Sequence, residues 1–192
     1  MSEVRHLLPK SERRAQVLRA AAAAFAGAGF EATSMEDVAA AAGVTKVIVY
    51  RHFDSKEDLY RSVLEETSAR MREEFVRAVS RPEGGGGPVQ ALLTVARENP
   101  DGYRLLVFHA PREGQFEKQA FAYWEEAVQN VDDLLGAQVR DPSVRLWVVE
   151  SFMGYLLHSV LMWLETGDPA DDDRFIVAAN DGLLALRDAW TT

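Results

Sequence analysis

The stretch from Thr45 to His52 gathers Lys46, Val47, Ile48, Tyr50, Arg51 and His52 on one short segment. Cations, a phenol and branched aliphatics side by side are an unusual set for a solvated surface. They suit a surface that meets stacked base pairs: Lys or Arg reads guanine acceptors, and aliphatic groups meet thymine methyls. Other residues could do chemistry elsewhere. Glu150 and His158, with Arg145, interrupt the otherwise apolar stretch 143–164. Burial there would oblige each to find a hydrogen-bond partner or to hold the polar end of a ligand. His109 and Glu113 stand at the i, i+4 spacing of a metal pair, but Pro111 between them breaks the helix that would align them. Arg104 and Arg112 could meet an anionic ligand, although a solvated surface explains them as simply. The four glycines Gly84 to Gly87 read as a linker, because no Lys-Ser/Thr follows and no strand precedes them.

The 192 residues include no cysteine, which excludes disulfides, thiolate metal sites, iron–sulfur clusters and cysteine nucleophiles. No Glu-x-x-His pair, glycine-rich cofactor turn or Ser–His–Asp spacing stands out. No metal, cofactor or catalytic residue is therefore expected. The competing reading is an all-helical enzyme or carrier for apolar small molecules, and it has only Glu150 and His158 to work with. An apolar share of 47% and a charged share of 27% are those of a globular chain. No run of about 18 apolar residues occurs, so no membrane span is expected. The alanine-rich stretch after Arg13-Arg14 is interrupted by Arg19 and reads as a helix of the mature protein rather than a leader.

The net charge of −9 argues at first against a polyanionic partner. Its distribution removes that objection. Residues 1–61 hold nine Lys/Arg and eight Asp/Glu, whereas the remaining residues hold 12 and 22. The acidity thus lies in the last two thirds, which leaves room for a local nucleic-acid surface near the start.

The elements that would position these residues are all helical. Leu18, Ala21, Ala22 and Phe25 make one face of a helix over 11–27, stopped by Gly27 and Gly29. Ser34 with Asp37 forms a capping box for a helix to about Ala42, and Gly43 ends it. Thr45 can cap a third helix, about 46–52. Ser55 with Asp58 opens a long one, from Lys56 to about Ser80. Further helices are expected near 88–98, 101–110, 114–136, 143–166 and 171–190, broken at Asn99-Pro100, Pro111, Gly136 to Pro142 and Gly167 to Pro169. The fold class is all-α with about nine helices. Two domains are expected, 10–55 and 56–192, joined by the helix that starts at Lys56. A tight Gly43-Val44-Thr45 turn between two short helices suggests a helix-turn-helix, with Val38, Ala39, Val44 and Val49 as its small apolar pegs. Phe53 reads as a core aromatic.

The residues from Val17 to Leu59 carry a resemblance. Val17-Leu18, Ala21, Phe25, the run Gly29 to Ala39, Ala42 to Lys46, and Tyr50 to Leu59 agree in register with the DNA-binding domain of the TetR/AcrR family of transcriptional regulators. The similarity spans roughly residues 10–62. It implies a cytoplasmic, bacterial, homodimeric regulator, by expectation a repressor. Such a protein binds double-stranded operator DNA of near-palindromic sequence and releases it on taking up a small-molecule effector. The resemblance puts Thr45, Lys46, Val47, Ile48, Tyr50 and Arg51 at recognition-helix positions, and Thr33, Tyr50, His52 and Lys56 at phosphate-contacting ones. One departure stands out. Family members often have glycine and a small hydroxyl residue where this chain has Val47 and Ile48, so more apolar base contact is expected here and base preference is not inherited.

Beyond residue 100 the chain is rich in large side chains. Most should form core and dimer interface. A subset, Phe108, Phe121, Trp124, Trp147, Glu150, Met153 and His158, is expected to line an effector pocket between helices. The apolar 143–164 helix is expected to be buried on every side. With the 171–190 helix it would supply a four-helix dimer interface, an arrangement the resemblance also implies.

Overall fold

The computed structural model describes residues 9–80, 87–135, 138–139 and 141–191. Among these, nine α-helices and no strand are found: α1 Lys10–Ala28, α2 Met35–Ala41, α3 Lys46–Tyr50, α4 Lys56–Ser80, α5 Gly87–Glu98, α6 Pro100–Arg104, α7 Glu117–Leu135, α8 Arg145–Thr166 and α9 Asp172–Thr191. The chain divides into two compact units, one ending at Glu65 and the other beginning at Glu66. The expected boundary at 55/56 therefore lies short of this division. The first turns of α4 carry the buried residues Leu59, Tyr60, Val63 and Leu64, which belong to the core of the first unit. Of the expected linker Gly84 to Gly87, the first three residues lie outside the described residues, and Gly87 is the first residue of α5.

In the first unit the helix ends follow from local chemistry. Ser34 Oγ accepts from the Asp37 N–H at 3.1 Å while Asp37 Oδ2 accepts from the Ser34 N–H at 2.9 Å, a reciprocal capping box. α2 stops where Gly43 turns left-handed, at φ +64. The N–H of Gly43 reaches the Ala40 carbonyl at 3.0 Å and that of Val44 reaches Ala39 at 2.9 Å, the paired bonds of a Schellman ending. An alanine at residue 43 would meet no steric neighbour but would have to hold this φ. α4 starts with the Asp58 N–H on Ser55 Oγ at 3.0 Å, and Asp58 in return accepts from Asp54 rather than from Ser55. Thr45 precedes α3 without a side-chain cap. The core is an aromatic triad: Phe25 and Phe30 each meet the Tyr60 ring edge-on, at 5.0 and 5.4 Å between centroids. Val17, Leu18, Val38, Val49 and Phe53 are buried with it.

In the second unit α8 is central and packs against α5, α7 and α9. Val89, Leu92, Leu93 and Ala96 of α5 face Val149, Met153, Leu156, Leu157 and Val160 of α8. Tyr103 is fully buried and donates to the Leu157 carbonyl at 3.0 Å, and burial pushes its phenol well above its ordinary pKa. Arg97 holds Asp172 through two bonds of 3.0 and 2.7 Å, and Asp172 also accepts from Trp163, which joins α5, α8 and α9.

Two expectations need correction. The helix expected over 101–110 is α6 followed by a π-helical turn, Leu105–His109, and a 3-10 turn, Ala110–Arg112. Pro111 has no N–H to offer a carbonyl four residues back and its ring crowds that carbonyl, so the backbone widens just ahead of it. Secondly, α8 is not buried on every side in the single chain. Leu146, Trp147 and Met162 are exposed, as are Glu150 and His158. The segment Pro142–Thr166 also holds an 18-residue window of mean hydropathy 1.3, long and apolar enough to cross a membrane by length and composition, a property that core helices share, so the expectation of no membrane span is not overturned. Counting unbroken apolar residues misses it because Glu150 and His158 interrupt the run, whereas an average absorbs them. Its buried residues are accounted for by the core just described.

Replacing Ser34 by alanine removes the acceptor for the Asp37 N–H. The S34A variant is expected to lose about 1 kcal/mol of unfolding free energy, read from urea denaturation, with an unchanged denaturant slope.

Candidate nucleic-acid interface and ligand cavity

α3 is only five residues long, and its orientation is set by what it buries. Val49 is fully buried and Phe53, just beyond the helix, is 1% exposed. The remaining positions are thereby turned outward: Val47 is 63% exposed and Tyr50 45%, Thr45, Lys46 and Arg51 are exposed, and Ile48 and His52 are half-buried. The structure thus brings seven of the nine expected contact residues onto one surface. Lys46 pairs with Glu36 of α2, and its ammonium lies 5.5 Å from the Tyr50 ring centroid. The hydrogen bond from Lys46 holds the Glu36 carboxyl below its usual range and raises the Lys46 pKa in turn. In the free protein Glu36 therefore occupies a cation that phosphate or a base edge could take over.

Two expected contacts are placed differently. Thr33 is 3% exposed, and its hydroxyl donates inward to the carbonyls of Gly29 at 2.7 Å and Ala24 at 3.2 Å. These bonds tie the turn to the end of α1, so the Thr33 side chain does not reach outward. The Lys56 ammonium donates to the Phe30 carbonyl at 2.8 Å and stands 4.2 Å above the Phe30 ring. It too braces the α1–α2 turn.

Sequence reasoning missed the start of α1 as part of this surface. His52 lies in the fields of Lys10, Arg14, Arg13 and Arg51, and partial burial together with these charges moves its pKa below the ordinary 6.5. The Arg14 guanidinium sits 5.2 Å from the Phe53 ring centroid. The excess of cations in residues 1–61 was the available signal, but it carried no information on which helix end adjoins α3.

In the second unit a cavity of about 460 Å³ opens among α4, α5, α7, α8 and the π-helical segment. Ser68, Met71, Arg72 and Phe75 present one face of α4 to it, and Ala120, Tyr123, Trp124, Ala127 and Val131 one face of α7. Leu92, Leu106, Met153, Leu156 and Leu157 supply apolar wall. Of the residues expected to line a pocket, Phe121, Trp124, Met153 and His158 do so. Phe108, Trp147 and Glu150 do not. Phe108 is exposed under the Arg112 guanidinium, Trp147 packs edge-on against Trp190 at 4.8 Å, and Glu150 points to solvent from α8. The burial expected of Glu150 and His158 came from treating all of α8 as core. His158 instead turns its Nδ1 to the Gly154 carbonyl, 3.1 Å away.

Residues 17–63 match the family described as bacterial regulatory proteins, tetR family. The HTH-type transcriptional activator FasR of Mycolicibacterium smegmatis is 28% identical over 175 residues, covering 86% of this chain and 78% of its own. Residues 17–63 thus form a TetR-family DNA-binding domain. Among solved structures, a TetR-like transcriptional regulator from Rhodococcus sp. RHA1 superposes with a TM-score of 0.72 at 20% identity, over 93% of this chain and 99% of that one. AibR, solved with isovaleryl coenzyme A and operator DNA, superposes with a TM-score of 0.65 at 20% identity, over 89% and 96%. These likenesses establish the fold along nearly the whole chain.

His52 gives this TetR-family surface a pH dependence of known sign. Its folded pKa is depressed, so below about 6.5 the unfolded chain binds more protons and stability falls as pH drops through the folded value. Phosphates act in the opposite direction and favour the imidazolium. Lowering the pH from about 7.5 to about 5.5 should weaken the fold in chemical denaturation yet strengthen duplex binding in fluorescence anisotropy, and H52Q should flatten both responses.

Proposed function

We infer that the chain is a cytoplasmic, dimeric, effector-released regulator that reads a near-palindromic operator through α3. The observation that carries this reading is the exposure of Val47 and Tyr50 beside Lys46 and Arg51, on a helix whose other side is anchored by Val49 and Phe53. Aliphatic and aromatic groups left in water next to cations have a use when thymine methyls and phosphates cover them. Val47 and Ile48 give this helix an apolar reading edge, so A·T pairs are expected at the base steps they meet.

Dimerisation is supported by the open face of α8 and α9. Trp147, Glu150, Gly154, His158 and Met162 recur at helical spacing along α8, and Val177 and Leu184 are 62% and 47% exposed on α9. An uncovered apolar face of this extent is characteristic of an interaction site. Two copies meeting through it would form a four-helix interface and cover Trp147 and Trp190. Effector binding is supported by the cavity. α4 is one continuous helix whose first turn belongs to the DNA-binding unit and whose Ser68-to-Phe75 face lines the cavity. An apolar or aromatic molecule that prefers one setting of α4 would alter the separation of the two recognition helices, which DNA requires to be about 34–36 Å. A coupling of about 1–3 kcal/mol is enough for such a switch. AibR, with its acyl thioester and operator, is an example of the same fold taking both partners.

The test is selection of bound fragments from random and genomic DNA at two salt concentrations. The expected product is a palindrome with half-sites about one helical turn apart that survives the added salt. K46A should then lose about 1–3 kcal/mol of affinity for it. W147E should sediment as a monomer and lose palindromic binding while remaining folded. Enrichment without a motif, collapsing with salt, would overturn sequence-specific recognition.

A further inference from the structure

The cavity of the second unit is ordered by polarity from its wall to its mouth. The residues that line it and are buried, such as Leu92, Leu106, Val131 and Leu156, are apolar. Its Arg and Glu lining residues, Arg72, Arg112 and Glu126, are exposed, so they stand at the mouth, whereas His158 also lies on the α8 face proposed for the dimer. A molecule entering this site would bury an apolar body and leave its polar end among these groups. Their charges do not cancel. Arg72 is joined to Glu126 by two contacts of 2.7 Å, a closed pair. Arg112 has no carboxylate partner among the described residues. It lies 4.0 Å from the Phe108 ring centroid and donates to the Phe108 carbonyl at 2.5 Å. This contact holds the guanidinium in place while leaving donors open, since a guanidinium carries five. The chain beyond residue 61 bears 12 basic and 22 acidic groups, so an uncompensated cation at the mouth runs against its surroundings.

We propose that the ligand of this cavity is an anionic amphiphile, whose apolar body lies among α4, α7 and α8 and whose carboxylate or phosphate head is bound by Arg112. The inference rests on reading this cavity as the effector site. Arg112 follows the π-helical turn that also puts Leu106 and Val107 on the cavity wall, so one irregular segment supplies both apolar wall and head-group contact. The Arg72–Glu126 pair is a reserve: with its carboxylate neutralised, Arg72 becomes a second anion contact.

The experiment is calorimetric titration of the whole protein, without DNA, with decanoate, monodecyl phosphate, 1-decanol and decyltrimethylammonium, each below its aggregation limit. The expected result is that the two anions bind at least about tenfold more tightly than the alcohol and the cation, the scale of one hydrogen bond to a charged group. The tighter anion identifies the head group. R112Q should erase most of the preference, and E126Q should tighten both anions several-fold. Thermal melting of each variant establishes that it is folded. Decanol binding as tightly as the anions, a preference for the cation, a preference that survives R112Q, or binding of none of the four would overturn the proposal. Anisotropy with operator DNA separates this from the regulator reading. Selective anion binding with no operator binding overturns only the latter, and operator binding with no anion preference overturns only the former.

Discussion

A five-residue helix cannot hold itself in water, and the DNA surface proposed for this protein depends on that fact. The cost of nucleating α3 is not recovered within so short a segment. Its geometry is borrowed from Val49 and Phe53, which are sealed into a core built by α1, α2 and the first turns of α4. The triad of Phe25, Phe30 and Tyr60 sets the distance between those helices, and the left-handed Gly43 sets the angle at which α3 leaves α2. Lys46, Val47, Tyr50 and Arg51 face outward because the only other side of the helix is taken. Recognition chemistry on α3 is thus a consequence of packing elsewhere.

The same unit shows where residue types alone mislead. Thr33 and Lys56 have the right groups for phosphate and lie near the right surface. The turn that follows α1, however, presents the carbonyls of Gly29, Phe30 and Glu31, and these take up both donors. A donor that braces the turn keeps α2 in register beneath α3, so both residues serve the interface by positioning it. Lys10, Arg13 and Arg14 escaped notice for the converse reason. Their charges were plain, but only the folded chain places the start of α1 beside His52.

Helix boundaries were largely legible, because caps and stops are local: Ser34 with Asp37, Gly43, Ser55 with Asp58, and Asn99 before Pro100 act within a few residues. The π-helical turn before Pro111 was not legible, since sequence marks a disruption there without saying whether the helix ends or widens. Nor was the face of α8. A helix apolar nearly all round has the same composition whether its last face meets its own core or a second copy, and Glu150 and His158 read as buried for that reason. Four of the seven expected pocket residues, Phe121, Trp124, Met153 and His158, line the cavity, and they were legible from their size and polarity on α7 and α8. The α4 face and Arg112 required knowing which helices meet.

Charge completes the argument. A chain of net charge −9 that must approach a polyanion has to keep its acidity away from the approach surface, and the acidic excess is confined to residues beyond 61. Glu36 is the exception on the recognition surface, and its pairing with Lys46 makes it useful. With DNA absent, the ion pair compensates the Lys46 cation. On the proposed reading, a fitting site would make Lys46 exchange Glu36 for a DNA partner. An exchange of exposed partners yields little net free energy when the new contact is imperfect. Discrimination at this position therefore falls on fit rather than on charge, and with it on the apolar edge that Val47 and Ile48 provide.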